Sequence, residues 1–241
     1  MSSINSNGKK KREKGVSLGG IREKSNWDKQ KFKKSITRPS TNPPGEQIFD
    51  HSTGRTVAQA VESASINSKV ALNSSQRLIV ESVIAGESLF YTGPAGTGKS
   101  MVLGEIVRLC GELFTDVDAT KEDKENLPNG GRRKRIVLTA TTGIAACHLG
   151  GCTIHSFAGI GTGGGTEEQL LGKVRGSKFA KERWLEADIL VIDEVSMMEG
   201  GFFDKLEFIG RRIRGNTKPF GGIQVVMTGD FYQLPPVNLS R

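Results

Sequence analysis

The stretch Phe90-Tyr91-Thr92-Gly93-Pro94-Ala95-Gly96-Thr97-Gly98-Lys99-Ser100 decides the fold. A short apolar run ends in a glycine-rich turn, and residues 101–114 after it are apolar at helical spacing. The spacing from Gly93 to Gly98, Lys99 and Ser100 is that of a phosphate-binding loop between a strand and a helix. Each residue type has a reason. Gly93, Gly96 and Gly98 let the backbone around Thr97 curl until successive N–H groups face phosphate oxygens, an approach that bulky side chains block. The new helix adds the positive end of its dipole. Lys99 supplies a cation for the β- and γ-phosphates, and the Ser100 hydroxyl a ligand for Mg²⁺. A glycine-rich turn with an accidental lysine is the bland alternative, and the strand-like and helix-like flanks speak against it.

A second signal lies downstream. In Ala187-Asp188-Ile189-Leu190-Val191-Ile192-Asp193-Glu194 an apolar, mostly β-branched strand ends in two carboxylates. Both should emerge at the carboxyl edge of a buried parallel strand. Asp193 can hold Mg²⁺, and Glu194 can orient and deprotonate an attacking water. A third strand, residues 223–228, ends in Gly229-Asp230-Phe231-Tyr232-Gln233-Leu234-Pro235-Pro236-Val237 and should carry Gln233 toward the γ-phosphate as a sensor of its presence. Upstream, Asn73 is a helix N-cap and Gln76 falls in the first turn, where its amide can pair with both edges of adenine. A plain surface glutamine is the alternative there.

Other segments carry weaker signals. Thr141-Thr142-Gly143 follows the strand 136–139 and opens a helix, an arrangement suited to a phosphate contact. Thr153-Ile154-His155-Ser156-Phe157 comes next; on its own, His155 reads as a structural histidine. Residues 201–214 form an apolar-faced helix ending in Arg211, Arg212 and Arg214, which complement its dipole. Residues 115–135 are polar, broken by Pro128-Asn129-Gly130-Gly131, and read as a surface insertion.

The net charge of +8 is unevenly spread: up to Arg38 there are twelve Lys and Arg against three Asp and Glu. The expected organisation is a disordered basic tail over residues 1–70 and a folded domain over 71–241, with affinity for polyanions concentrated in the tail. Lys9-Lys10-Lys11-Arg12-Glu13-Lys14 is a candidate nuclear address, with a solvated charge run as the alternative. A mitochondrial presequence fits less well, because the tail favours lysine and contains acids. Trp27 and Phe32 among lysines can stack on bases or dock a protein. Cys110, Cys147 and Cys152 lack metal-ligand spacing, and no apolar run approaches a membrane span.

Taken in order, GPAGTGKS at 93–100, TATTGIAACHLGG at 139–151, TIHSF at 153–157, DEVSM at 193–197 and GDFYQLPPV at 229–237 resemble the first-domain motifs of superfamily 1 DNA helicases. The similarity is closest to the PIF (petite integration frequency) family. It implies an α/β fold, a RecA-like P-loop NTPase domain with a mostly parallel sheet flanked by helices. It also implies a 5′-to-3′ ATP-dependent DNA helicase in DNA repair, recombination or telomere maintenance, with single-stranded DNA and helicase, replication or repair proteins as partners. By the same resemblance Gln76 contacts adenine, Gly93, Gly96, Thr97, Gly98 and Lys99 the phosphates, and Ser100 with Asp193 the magnesium. Glu194 is the catalytic base and Gln233 the γ-phosphate sensor, while Thr141, Thr142, His155 and Phe157 fall in segments that touch DNA. Because Arg241 closely follows the glutamine motif, the expectation is a fragment that binds ATP–Mg²⁺ weakly, hydrolyses it slowly and does not unwind DNA. A non-catalytic DNA- or helicase-binding regulator and a small-molecule kinase are the other classes.

Overall fold

The computed structural model describes residues 42–50, 53–66, 68, 70–114 and 134–233, all within the compact unit Arg38–Arg241. The lysine cluster at 9–14, Trp27 and Phe32, most of the insertion after residue 114, and Leu234-Pro235-Pro236-Val237 lie outside the described residues.

A short antiparallel pair, β1 (Ile48–Asp50) and β2 (Arg55–Thr56), leads into α1 (Val57–Ser65) and α2 (Ser74–Ile84). Then come β3 (Leu89–Thr92), α3 (Lys99–Leu113), β4 (Ile136–Ala140), α4 (Gly143–His148), β5 (Cys152–Thr153) and α5 (Ile154–Ala158). Helices α6 (Glu167–Gly176) and α7 (Lys178–Glu186) precede β6 (Ile189–Asp193), α8 (Gly200–Arg214) and β7 (Gln224–Gly229). The last five strands form one sheet in the order β3-β7-β6-β4-β5, with every neighbouring pair parallel. This is the RecA-like α/β arrangement that the motifs imply.

Strand β6 owes its central place to composition. Ile189, Leu190, Val191 and Ile192 are all fully buried, as a strand covered on both faces must be. Successive side chains leave a strand on opposite faces. Leu190 and Ile192 therefore join Phe157, Trp184, Leu206 and Ile209 on one side. Ile189 and Val191 join Val80, Val83, Leu103 and Ile106 on the other. Register aligns the carboxyl ends, with Thr92 opposite Gly229 and Ala140 opposite both Asp193 and Thr153. Among the described residues no helix is long and apolar enough to cross a membrane.

The described elements include a strand pair and a helix before the expected boundary near residue 70. Helix α1 is opened by a capping box between Thr56 and Gln59; it buries Val57, Ala60 and Val61, and the two valines join the core that holds α3. Polar neighbours hide this i, i+3, i+4 stripe in the composition, but the stripe is enough to dock a helix. Arg214 also departs from a simple dipole role. Its guanidinium donates to the carbonyls of Trp184, Leu185, Ala187 and Gly221, tying α7 and the turn before β7 to the end of α8.

Two glycines in helices separate propensity from packing. Gly104 lies mid-helix in α3, and a Cβ there meets nothing within 4 Å, whereas a Cβ on Gly210 in α8 sits 2.9 Å from the Phe220 carbonyl oxygen. Chemical denaturation is expected to show Gly104→Ala stabilised by about 0.5–1 kcal/mol. Gly210→Ala is expected to be destabilised by about 1–3 kcal/mol, because backbone has to move.

Candidate nucleotide-binding site

The loop after β3 is shaped by its glycines. Gly96 and Gly98 have φ of 81° and 83°, values that side chains rarely tolerate. Gly98 is the N-cap of α3 and has no side chain to bond the first turn, so the leading N–H groups of that helix stay available to an anion. The Lys99 ammonium folds back across the loop and donates to the carbonyl oxygens of Gly93 at 2.6 Å and Pro94 at 3.1 Å. Thr97 Oγ1 donates to the Pro94 carbonyl at 2.8 Å. Ser100 is exposed on the first turn. Beneath the loop the Tyr91 hydroxyl donates to the Lys99 carbonyl at 3.3 Å, and burial pushes this phenol well above its ordinary range.

Asp193 and Glu194 leave β6 beside the loop. Asp193 Oδ1 accepts the Glu194 N–H at 2.8 Å, and Glu194 adopts the left-handed conformation with φ 54° and ψ 40°. The turn is boxed in by both neighbouring strands. On one side a Cβ on Gly229 would lie 3.0 Å from the Ser196 nitrogen and 3.1 Å from the Val195 nitrogen, so glycine there permits the approach. On the other, Thr141 Oγ1 donates to the Glu194 carbonyl at 2.9 Å. Burial raises the Asp193 carboxyl, opposed by its bond from the Glu194 N–H and by the charge of Lys99. Glu194 is raised by burial first and then by the charge of Asp193; Lys99 pulls it back and Asp230 adds to the rise. Lys99, Asp193, Glu194 and Asp230 thus share one electrostatic neighbourhood. Gln233 joins through Asp230, whose Oδ2 accepts its amide at 3.0 Å.

Gln76 reaches the same loop from α2. Its Oε1 accepts the Asn73 N–H at 3.0 Å in a capping box, and its Nε2 donates to the Thr97 carbonyl at 3.2 Å. The amide is therefore oriented from both ends.

A family model described as PIF1-like helicase matches residues 125–240. The ATP-dependent DNA helicase PIF1 of Candida albicans is 40% identical over 199 residues, covering 83% of this chain and 20% of that protein. The crystal structure of Pif1 helicase from Candida albicans is similar with a TM-score of 0.60 at 43% identity, over 70% of this chain and 34% of that one. Over most of its length the chain resembles the PIF1-like helicases. A Bacteroides Pif1 structure in complex with ADP-AlF3 and single-stranded DNA is similar with a TM-score of 0.52 at 27% identity, over 71% of this chain and 35% of that one. The chain spans about a fifth of the length of the curated relatives it matches.

The residues of this PIF1-like chain that the resemblance assigns to DNA divide into three cases. Thr142 Oγ1 accepts the Ala145 N–H as the N-cap of α4, at a helix start where Ile144 is 76% exposed. His155 is half-buried, stacks on Phe202 with ring centroids 4.6 Å apart, and is held below its ordinary pKa by burial. Phe157 is fully buried against Trp184, with centroids 4.9 Å apart. It cannot meet a strand of DNA, because it shares the inward face of α5 with Ile154 and Ala158. One contributor, Asp230, carried no assignment in the sequence, and Thr141 is bonded differently from the DNA contact that the resemblance implies. Asp230, 3% exposed, organises the turn that holds Gln233, and Thr141 is spent on the acidic turn. An acid after a glycine at a strand end was the available signal for Asp230.

The raised carboxyls set a pH dependence. Ionising a group whose folded pKa is raised costs the fold stability; the cost is absent below the ordinary carboxylate range and complete above the raised value. Glu194→Gln is therefore expected to melt about 2–4 °C above the parent chain at pH 8. The difference should close as the pH is lowered through the carboxylate range, in thermal scans followed by circular dichroism.

Proposed function

We propose that this chain is the first motor portion of a 5′-to-3′ ATP-dependent DNA helicase, binding ATP–Mg²⁺ and single-stranded DNA in repair, recombination or telomere maintenance. The observation that carries this is the meeting of Lys99, Asp193 and Glu194 at one edge of a parallel sheet, with Gln233 held beside them by Asp230. The ligands of the Bacteroides relative, ADP-AlF3 and single-stranded DNA, agree with it. The lysine-rich stretch at 9–14 favours the nucleus over the mitochondrion as the place of action.

Each side chain has a task in hydrolysis. On binding, phosphate oxygens take the place of the Gly93 and Pro94 carbonyls at the Lys99 ammonium, and the uncapped start of α3 offers its N–H groups. Glu194 takes the proton of the attacking water; its raised carboxyl makes it a better base than a solvated glutamate. Gln233 presents an amide that can bond the terminal phosphate once it leaves Asp230.

The donor set fits magnesium shared with a nucleotide. Among the described residues no group of three or more His, Cys, Asp or Glu could hold a metal. Magnesium in phosphoryl-transfer sites takes one or two protein oxygens and completes its shell with phosphates and water. Ser100 and Asp193, whose Oδ1 is taken by the Glu194 N–H, supply two such oxygens. When bound, the ion neutralises charge on the phosphates.

The test uses the 241-residue chain with a fluorescent ATP analogue and single-turnover hydrolysis. Lys99→Ala is expected to weaken nucleotide binding about tenfold or more. Glu194→Gln should keep binding within about twofold and slow hydrolysis by roughly 10²–10⁴. Hydrolysis at the parent rate in Glu194→Gln would remove the proposed chemistry.

A further inference from the structure

Glu194 is one of two non-glycine residues with positive φ among the described residues. For an ordinary side chain that conformation costs about 1–2 kcal/mol and persists where the surroundings hold it. What holds it is a small set of bonds. Asp193 Oδ1 takes the Glu194 N–H, and the Met197 N–H reaches the Glu194 carbonyl at 3.1 Å as the next turn begins. Both of these are local. The remaining restraint comes from another strand. Thr141 donates its backbone N–H to the Asp193 carbonyl at 3.2 Å and its hydroxyl to the Glu194 carbonyl at 2.9 Å. One residue from the end of β4 thus grips two successive peptides of the acidic turn. The next residue, Thr142, starts α4, and its hydroxyl is committed to the Ala145 N–H.

We infer that Thr141 is a positioning residue for Glu194, linking the start of α4 to the carboxylate that handles water, and not itself a contact to DNA. The inference rests on the nucleotide-hydrolysing role proposed above. Its chemistry is geometric. The hydroxyl of Thr141 has one proton, and the Glu194 carbonyl takes it. Displacing the 141–142 peptide would change the bond that keeps Glu194 in its left-handed conformation. A displacement on the scale of an ångström is enough to change a rate about 100-fold.

The variants that isolate the bond are Thr141→Val, which keeps the branched shape and loses the hydroxyl, and Thr141→Ser, which keeps the hydroxyl. In the 241-residue chain, Thr141→Val should bind the fluorescent ATP analogue within about twofold of the parent, while single-turnover hydrolysis falls by roughly 10- to 100-fold. Thr141→Ser should recover hydrolysis to within about threefold. A merely structural role lowers binding and hydrolysis together. Parent-like hydrolysis in Thr141→Val, or equal loss in Thr141→Ser, overturns the assignment. A second measurement does not depend on turnover. In ¹⁵N spectra, oligothymidylate should shift the amides of residues 142–145 together with Glu194 in the parent chain, and leave Glu194 unmoved in Thr141→Val. Glu194 amide shifts that are absent in the parent, or unchanged in the variant, also overturn it. Failure of the nucleotide reading is recognised separately, as ATP binding that Lys99→Ala does not weaken.

Discussion

The acidic turn after β6 is held in place by the strands on either side of it, and the rest of the site depends on that restraint. A parallel strand buried on both faces can deliver carboxylates only at its end, where the backbone ladder stops and the chain must turn. Two charged side chains at the edge of a dry core have every reason to swing toward water. Here β7 presses on the turn through Gly229, where the missing side chain lets Val195 and Ser196 approach, and β4 bonds it through Thr141. Register makes both contacts available, since β4 ends level with β6 and β7 runs one residue past it. Moving either neighbour by one residue would invert its side chains and remove the contact.

Charge explains why the restraint is needed. The charges of Asp193 and Asp230 act on Glu194 against the cation Lys99, and burial adds to the cost of ionising both Asp193 and Glu194. Such an arrangement favours a proton or a metal ion, and a general base is most useful when its affinity for a proton is high yet it still ionises near neutrality. Lys99 meanwhile rests on the carbonyls of its own loop, which are dipoles and weaker partners than phosphate. Basic and acidic sides of the site are therefore each incompletely neutralised by protein, and a phosphate chain carrying a divalent cation is complementary to both.

The strand ends and their motifs were legible in the sequence because each combines a local pattern with a residue type that its chemistry requires. The P-loop glycines, the acids after residues 189–192 and the Asn73 cap all stand where they were read. What escaped was information that depends on which strands are neighbours. Nothing in Thr141-Thr142-Gly143 says that β4 lies against β6, so the bonds from Thr141 to the Asp193 and Glu194 carbonyls could not be foreseen. Phe157 is a different kind of miss: Ile154, Phe157 and Ala158 are spaced to share one helix face, and that pattern already placed the ring inside. Helix α1 was hidden by composition, since its stripe of Val57, Ala60 and Val61 is short and set among polar residues.

The pairing of Thr141 with Thr142 shows how the acidic turn and the start of α4 are joined through one peptide. Adjacent side chains at a strand exit point in opposite directions. The first therefore reaches across to the backbone of Asp193 and Glu194, and the second turns outward to cap α4. A link so short has few internal degrees of freedom to absorb a displacement, unlike a loop. A left-handed glutamate makes a suitable receiver, because that conformation lies far from the ordinary alternatives and relaxes as a switch once a restraint is lost. The strain at Glu194 and the double grip of Thr141 are thus parts of one device: without the grip the strain would relax, and without the strain the grip would have little to release.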